Sequence, residues 1–170
     1  MDAGLAERLR ESQPDAQEAF LRHFREPLLR VVLSMMQDDE AHDVVQQSLL
    51  IAIQKISGFK GESSLRVWVF GIAMTEVKAW RRKRWRRWFS EVVREKPEEN
   101  PWPLTTCGIV VREALCKLSH EHSSALVMHE VEGMSVDEIA EIQGVPSGTV
   151  MSRLFYARKK MRELLAGFEG

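Results

Sequence analysis

The residues best placed to do chemistry in this chain are two runs of cations. Between Lys78 and Arg87 there are seven Lys and Arg and no acid, and between Arg153 and Arg162 there are five and no acid. Clustered positive charge attracts a polyanion, and two clusters on one chain point to two separate contacts with it. The whole-chain balance hides this, because the formal net charge of the 170 residues is −1. The first run is interleaved with Trp80, Trp85 and Trp88. Flat rings among cations can stack on bases or lie on an anionic membrane. The apolar face here is too narrow for insertion, so DNA ranks ahead of a membrane. A simply solvated charge run is the remaining alternative.

Other chemistry finds little support. No glycine-rich phosphate loop, nucleophile elbow or paired-carboxylate pattern is present. Cys107, Cys116, His120 and His122 form the one metal-like group. Cys116 and His120 are four apart and can share a helix face, but Cys107 lies beside a linker. A buried cysteine with surface histidines accounts for them better than zinc does. Neither metal, cofactor nor enzymatic activity is expected. Two cysteines make no disulfide framework and suit a reducing compartment. Met1-Asp2-Ala3-Gly4 begins no signal peptide, and no apolar run nears the roughly 20 residues of a membrane span. A cytoplasmic chain without membrane insertion is expected.

The elements that must carry the cations read as helices. Phe20, Phe24, Leu28, Val31 or Val32 and Met35 recur at spacings of three and four from Ala16 to about Met36. Pro27 predicts a kink or break there. A second helix starts at Asp38-Asp39-Glu40, with acids favouring the helix dipole, and ends at Gly58. Its apolar face includes Val44, Val45, Leu49, Ile53 and Ile56. A turn with Ser64 as cap leads into a third helix, Leu65 to Trp88, striped by Val69, Ala73, Val77 and Trp80. Residues 89–108 are acidic and carry Pro97, Pro101 and Pro103, a linker between two domains. Beyond it, helices are expected over Val110 to Leu118, Glu121 to Glu132, Val136 to Gln143 and from Pro146 to about Ala166. Ser119 fits an N-cap and Ser135 with Glu138 a capping box. The fold class is all-α: two small helical domains, 1–88 and 109–170, joined by 89–108.

A short capped helix, a glycine turn at Gly144 and a longer helix make a helix-turn-helix pattern. The second helix of such a unit fits the major groove, and its early side chains meet base edges. Ser147, Thr149, Met151, Ser152 and Arg153 occupy those positions. Arg158, Lys159 and Lys160 follow, able to reach phosphates. A helical hairpin that packs on protein would show the same spacing.

Longer stretches carry a resemblance. The segment from Leu126 to Ala140, with Glu132-Gly133-Met134-Ser135-Val136-Asp137-Glu138-Ile139-Ala140, and the segment from Gly148 to Arg158 look like region 4 of the extracytoplasmic-function sigma factors. These are the group 4 members of the sigma-70 family, and region 4 reads the −35 promoter element. Asp43-Val44-Val45-Gln46 resembles their region 2.2, which docks on the coiled coil of the largest RNA polymerase subunit. Phe59 to Ala73 resembles region 2.3, which opens the −10 element, and the Trp/Arg helix end then corresponds to region 2.4.

The resemblance implies an RNA polymerase sigma factor that binds core polymerase, directs promoter-specific transcription and is held inactive by an anti-sigma factor. It implies polymerase contacts at Asp43, Gln46 and Gln47. It implies −10 contacts at Lys60, Ser63, Ser64, Thr75, Lys78, Arg81, Arg82 and Arg84. It implies −35 contacts at Ser147, Thr149, Met151, Ser152, Arg153, Tyr156 and Arg158. Trp68 and Phe70 could stack on bases, but their helical spacing reads as core. The chain departs from the family where Gln47 replaces a frequent Glu and where Met74-Thr75 stand near a usual Asn. It departs again at Ala79, which replaces a polar residue, and at Met151, which replaces a basic one. The rival reading is a free-standing helix-turn-helix regulator, which would not need the Asp43–Gln46 face or the Gly61–Ala73 block. A protein-interaction adaptor is disfavoured by the two cationic stripes.

Overall fold

The structure, a computed structural model, describes residues 2–36, 38–87 and 106–166. Among the described residues there are α-helices, one short 3-10 turn and no strand. The helices of the first half are α1 (Asp2–Arg10), α2 (Ala16–Leu33), α3 (Asp38–Lys55) and α4 (Leu65–Arg87), with the 3-10 turn at Ile56–Gly58. Those of the second half are α5 (Thr106–Cys116), α6 (His120–Glu130), α7 (Val136–Gln143) and α8 (Ser147–Leu165).

Helix α2 runs unbroken through Pro27, so the break that the proline could have made does not occur. An interior proline costs about 3 kcal/mol. Phe20, Phe24, Leu28, Val31 and Val32 are all fully buried on either side of it. Each buried large side chain is worth roughly 1.5–3 kcal/mol, so the core outweighs the proline. Helix α4 buries Leu65, Val69, Phe70, Ala73, Met74 and Val77 at spacings of three and four, and α3 packs Val44, Val45, Leu49 and Ala52 against it. Met74, one of the departures from the family pattern, is thus a core side chain. Phe70 is fully buried, as expected, and Trp68 is half-buried with its ring 5.1 Å from Phe59. Ser64 caps α4 by accepting the Val67 N–H at 3.1 Å.

Helix α1 was not foreseen. Its short apolar edge, Ala6 and Leu9, is buried against α2 and α4, and the Arg10 guanidinium donates to the Phe59 carbonyl. In the second half α5 begins a turn earlier than Val110, and it stops at Cys116, before Leu118. Helix α6 starts at His120 under the Ser119 cap, which accepts the His122 N–H. It ends at Glu130, so that Val131 and Glu132 form a turn leading to Gly133 at φ 66°. The linker expected over 89–108 falls mostly outside the described residues.

The two halves pack on each other. Helix α6 lies on α2 and α7 lies on α4, and apolar side chains from both halves join one core. The polar centre of this contact is Glu132, whose side chain is only 4% exposed. Arg30 of α2 donates to it through Nε at 2.7 Å, and Arg66 of α4 reaches its other oxygen at 3.3 Å. The same Arg66 nitrogen donates to the Glu132 carbonyl at 2.6 Å. A carboxylate this deep would be costly alone, and two guanidinium groups compensate it.

Candidate nucleic-acid interface

The helix-turn-helix is built by local chemistry. The Ser135 hydroxyl accepts the Glu138 N–H at 3.2 Å, and Glu138 Oε2 accepts the Ser135 N–H at 2.9 Å, closing the capping box in front of α7. Gly144 takes the left-handed conformation, φ 67°, that turns the chain out of α7. Pro146 stands at the N-cap of α8, and Ser147 Oγ donates to Asp137 Oδ1 at 2.6 Å, pinning the start of α8 to α7. Val150, Leu154 and Ala157 bury the inner face of α8 against α6 and α7.

The residues expected to read the −35 element spread over the rest of α8 unevenly. Met151 and Tyr156 are 58% and 60% exposed, and Phe155, which the sequence reading passed over as a contact, is 61% exposed. Phe155 and Tyr156 meet edge to face at 5.4 Å. Ser152 is exposed, with its hydroxyl donating back to the Gly148 carbonyl at 3.1 Å, and Thr149 is half-buried. Arg153 turns inward and donates to Gln143 Oε1. Gln143 in turn donates to Ser124 Oγ at 3.0 Å and to the Glu121 carbonyl at 3.2 Å, so this amide joins α6, α7 and α8. Arg158 pairs with Glu130 at 2.8 Å. The two arginines of the expected set therefore have partners within the protein.

The −10 residues lie on the loop before α4 and along α4. Lys60, Ser64, Thr75, Lys78, Arg81, Arg82 and Arg84 are exposed and Ser63 is half-buried. Thr75, Lys78 and Arg82 follow one helix edge at spacings of three and four. The Thr75 hydroxyl donates to the Gly71 carbonyl of its own helix at 2.9 Å. Arg84 pairs with Glu40 at 2.9 Å and lies 5.2 Å from the Trp80 ring centre. Arg81 approaches the start of α6. Burial first, then the Arg81 charge, hold the His120 imidazole below its usual range, while Glu121 and the Met35 carbonyl pull the other way. Glu121 sits below the usual carboxylate range, chiefly through its own backbone N–H, helped by Ser119 and Arg81. Trp85 and Trp88 lie where side chains are outside the described residues.

An open cleft of about 340 Å³ runs along this edge of α4. Ser63, Trp68, Gly71, Ile72 and Thr75 line one side of it, and Glu141 and Ile142 of α7 close the other. The helix-turn-helix thus covers part of the face expected to meet the −10 element, whereas α8 packs within the second half and keeps its outer side open.

On α3, Asp43, Gln46 and Gln47 are all exposed, on one edge. Leu50 continues that edge at i+7 from Asp43 and is 45% exposed, an apolar member that the sequence reading missed although the spacing announced it. The Cys107 side chain lies outside the described residues. Among the described residues no group of three or more His, Cys, Asp or Glu is placed to hold a metal, and no helix is long and apolar enough to cross a membrane.

Comparison with known proteins fits this layout. Residues 20–87 match the model for Sigma-70 region 2, and residues 109–161 match that for Sigma-70, region 4. Among curated relatives, the ECF RNA polymerase sigma-E factor of Haemophilus influenzae is 27% identical, with 93% of this chain and 92% of that protein covered. The RNA polymerase sigma-H factor of Pseudomonas aeruginosa is also 27% identical, with 96% and 93% covered. Among solved structures, the sigma factor RpoE in complex with the anti-sigma factor NepR from Bartonella quintana superposes with a TM-score of 0.71 at 28% identity. That match covers 89% of this chain and 98% of RpoE. CnrH, solved with the cytosolic domain of CnrY, shares the fold with a TM-score of 0.72 at 19% identity, covering 98% of this chain and 97% of CnrH.

Proposed function

This chain belongs to the extracytoplasmic-function sigma factors of RNA polymerase, which direct transcription, and we propose that its three exposed faces divide that task. Asp43, Gln46, Gln47 and Leu50 on α3 dock on the coiled coil of the largest polymerase subunit. The loop Lys60–Ser64 and the Thr75, Lys78, Arg82 edge of α4 engage the −10 element. Ser147, Thr149, Met151, Ser152, Tyr156 and the cations that follow on α8 grip the −35 element. The chain fits group 4 of the family, works in the cytoplasm and supplies recognition while polymerase supplies catalysis.

The observation that carries this reading is the separation of the faces. The polar α3 edge suits arginines on a partner helix, because carboxylate and amide oxygens accept from guanidinium groups. The two cationic faces suit phosphates, which add salt-dependent affinity. Simultaneous engagement of two promoter elements makes binding bivalent, so segment 89–108 limits their spacing.

The packing of α7 on α4 places Glu141 and Ile142 beside Ser63 and Thr75. Promoter opening then requires α7 to leave α4, at the cost of the contacts around Glu132. An anti-sigma factor is a partner suited to holding the compact arrangement, and the likeness to a sigma factor solved with its anti-sigma factor supports this.

The test is transcription in vitro with purified core polymerase, this chain and a library of promoter fragments. Initiation from a discrete set of fragments that depends on both is expected. Sequence-selective DNA binding with no association with core polymerase would turn the reading into that of a free-standing regulator.

A further inference from the structure

The open side of α8 departs from what its cationic sequence suggests. In its first three turns the single cation is Arg153, and that guanidinium is directed to Gln143 rather than to solvent. Arg158, in the next turn, pairs with Glu130. The large apolar side chains of the outer face are Met151 and, one turn on, Phe155, each more than half exposed, with the Tyr156 ring 5.4 Å from that of Phe155. Residues i and i+4 share a helix face, so the two form one apolar ridge.

Exposed apolar ridges need an occupant, and the surroundings select one. No Asp or Glu occurs from Ile142 to Arg162, while Arg158, Lys159, Lys160 and Arg162 follow the ridge. A polyanion fits that border, and a helix of this kind enters the major groove with its early side chains toward the bases. Guanine is read there by arginine or lysine forks. At the ridge itself, that chemistry is absent. The one apolar group that the major groove offers is the C5-methyl of thymine.

We propose that Met151, with Phe155 behind it, reads thymine methyl groups, making the −35 preference of this chain one for A·T pairs where α8 enters the groove. The inference rests on the DNA-reading role proposed for α8. The thioether side chain of Met151 is flexible and adapts its apolar surface to the methyl.

The full chain assembled with core polymerase is used to enrich duplexes randomised across the −35 element. The enriched duplex is then remade with deoxyuridine in place of each thymine in turn, which removes the C5-methyl alone. Affinity is expected to fall about fourfold for each methyl buried against the ridge. In Met151→Gln the chain length is kept and the apolar tip is lost, so the thymine-to-uracil ratio at the contacted position should fall to about one. Met151→Ala should do the same, and the exposed site makes both variants fold as the parent does. Enrichment of a −35 element whose thymines all tolerate uracil overturns the methyl contact and leaves DNA reading by α8 intact. An unchanged thymine-to-uracil ratio in both variants shows that a group other than Met151 reads the methyl and overturns it as well. No enrichment at all removes the DNA-reading role and the inference together.

Discussion

Arg30 donates to Glu132 at 2.7 Å across 102 positions of the sequence, tying α2 to the turn that precedes the helix-turn-helix. Arg66 completes the arrangement from α4, so one carboxylate holds two of the long helices of the first half, α2 and α4. Its side chain is almost wholly buried, whereas Arg30 and Arg66 keep 23% and 30% of theirs exposed. The acid therefore depends on the bases more than they depend on it.

Removal of one base should weaken the contact between the halves. Arg30→Ala leaves Arg66 in place, so the expected cost is that of one charge-assisted hydrogen bond, ~1.5–3 kcal/mol. Denaturant unfolding measures it. The cycle with Glu132→Gln should show a coupling of ~0.5–3 kcal/mol, because the two side chains touch. Additive effects would show that the pair does not hold the halves together. The same variants should increase the distance between labels on α4 and α7 if α7 leaves α4 more readily.

Acidification should loosen the same region through His120. Its imidazole lies near Arg81 of α4, the Met35 carbonyl and Glu121, and burial and Arg81 keep its proton affinity below the ordinary value of 6.5. The unfolded chain then binds more protons than the folded one between the two values. Stability should rise with pH across that window and be lost as pH falls below 6.5. Glu121 adds a second loss lower down, because its depressed carboxyl stabilises the fold above 4.5 and ceases to do so as pH falls through its folded value. Unfolding midpoints measured from pH 7.5 to 5 should converge between the parent and His120→Gln as acid is added. Parallel curves would remove His120 from the account.

The α3 edge makes a separable prediction. Asp43→Ala, Gln46→Ala and Leu50→Ala change exposed positions, so stability should stay within about 0.5 kcal/mol of the parent. Association with core polymerase should weaken about tenfold for Asp43→Ala, the loss of one charged hydrogen bond. Leu50→Ala should weaken it as well, through apolar area. Fluorescence anisotropy with labelled chain and purified core polymerase measures both. Unaltered affinity in all three variants would move the docking face elsewhere.

What the sequence disclosed follows the range of the interactions. The capping box of Ser135 and Glu138 and the glycine turn at Gly144 are settled within a few residues, and both stand where the pattern put them. The stripes of α2 and α4 were legible for the same reason, since a helix face repeats every three or four residues. Helix α1 offers only Leu5, Ala6 and Leu9, too few for a periodic signal, and its place depends on α2 and α4. Pro27 misled because its cost is local and the burial that overrides it is not. Glu132 reads in the sequence only as the last residue of a helix, and its partners stand 102 and 66 positions away. Gln143 was passed over too, although the inward turn of Arg153 depends on it.

Salt dependence separates the cations that meet phosphate from those with partners inside the protein. Lys78 and Arg82 are exposed along the Thr75 edge of α4, whereas Arg84 pairs with Glu40 and the Arg81 charge lowers the proton affinity of His120. Each phosphate neutralised on duplex DNA contributes about 0.9 to the slope of log affinity against log salt. The double variant Lys78→Ala/Arg82→Ala should therefore flatten the slope for holoenzyme binding to promoter DNA by about 2. Lys159→Ala on α8 should flatten it by about 1, with little change in which −35 sequence is preferred, since a phosphate contact positions without specifying. Filter binding or anisotropy between 50 and 200 mM salt, the range over which such contacts dominate, reads both. A slope unchanged by the Lys78 and Arg82 substitutions would show that this edge of α4 does not lie along the backbone, and the −10 assignment would then have to rest on the loop from Lys60 to Ser64 alone.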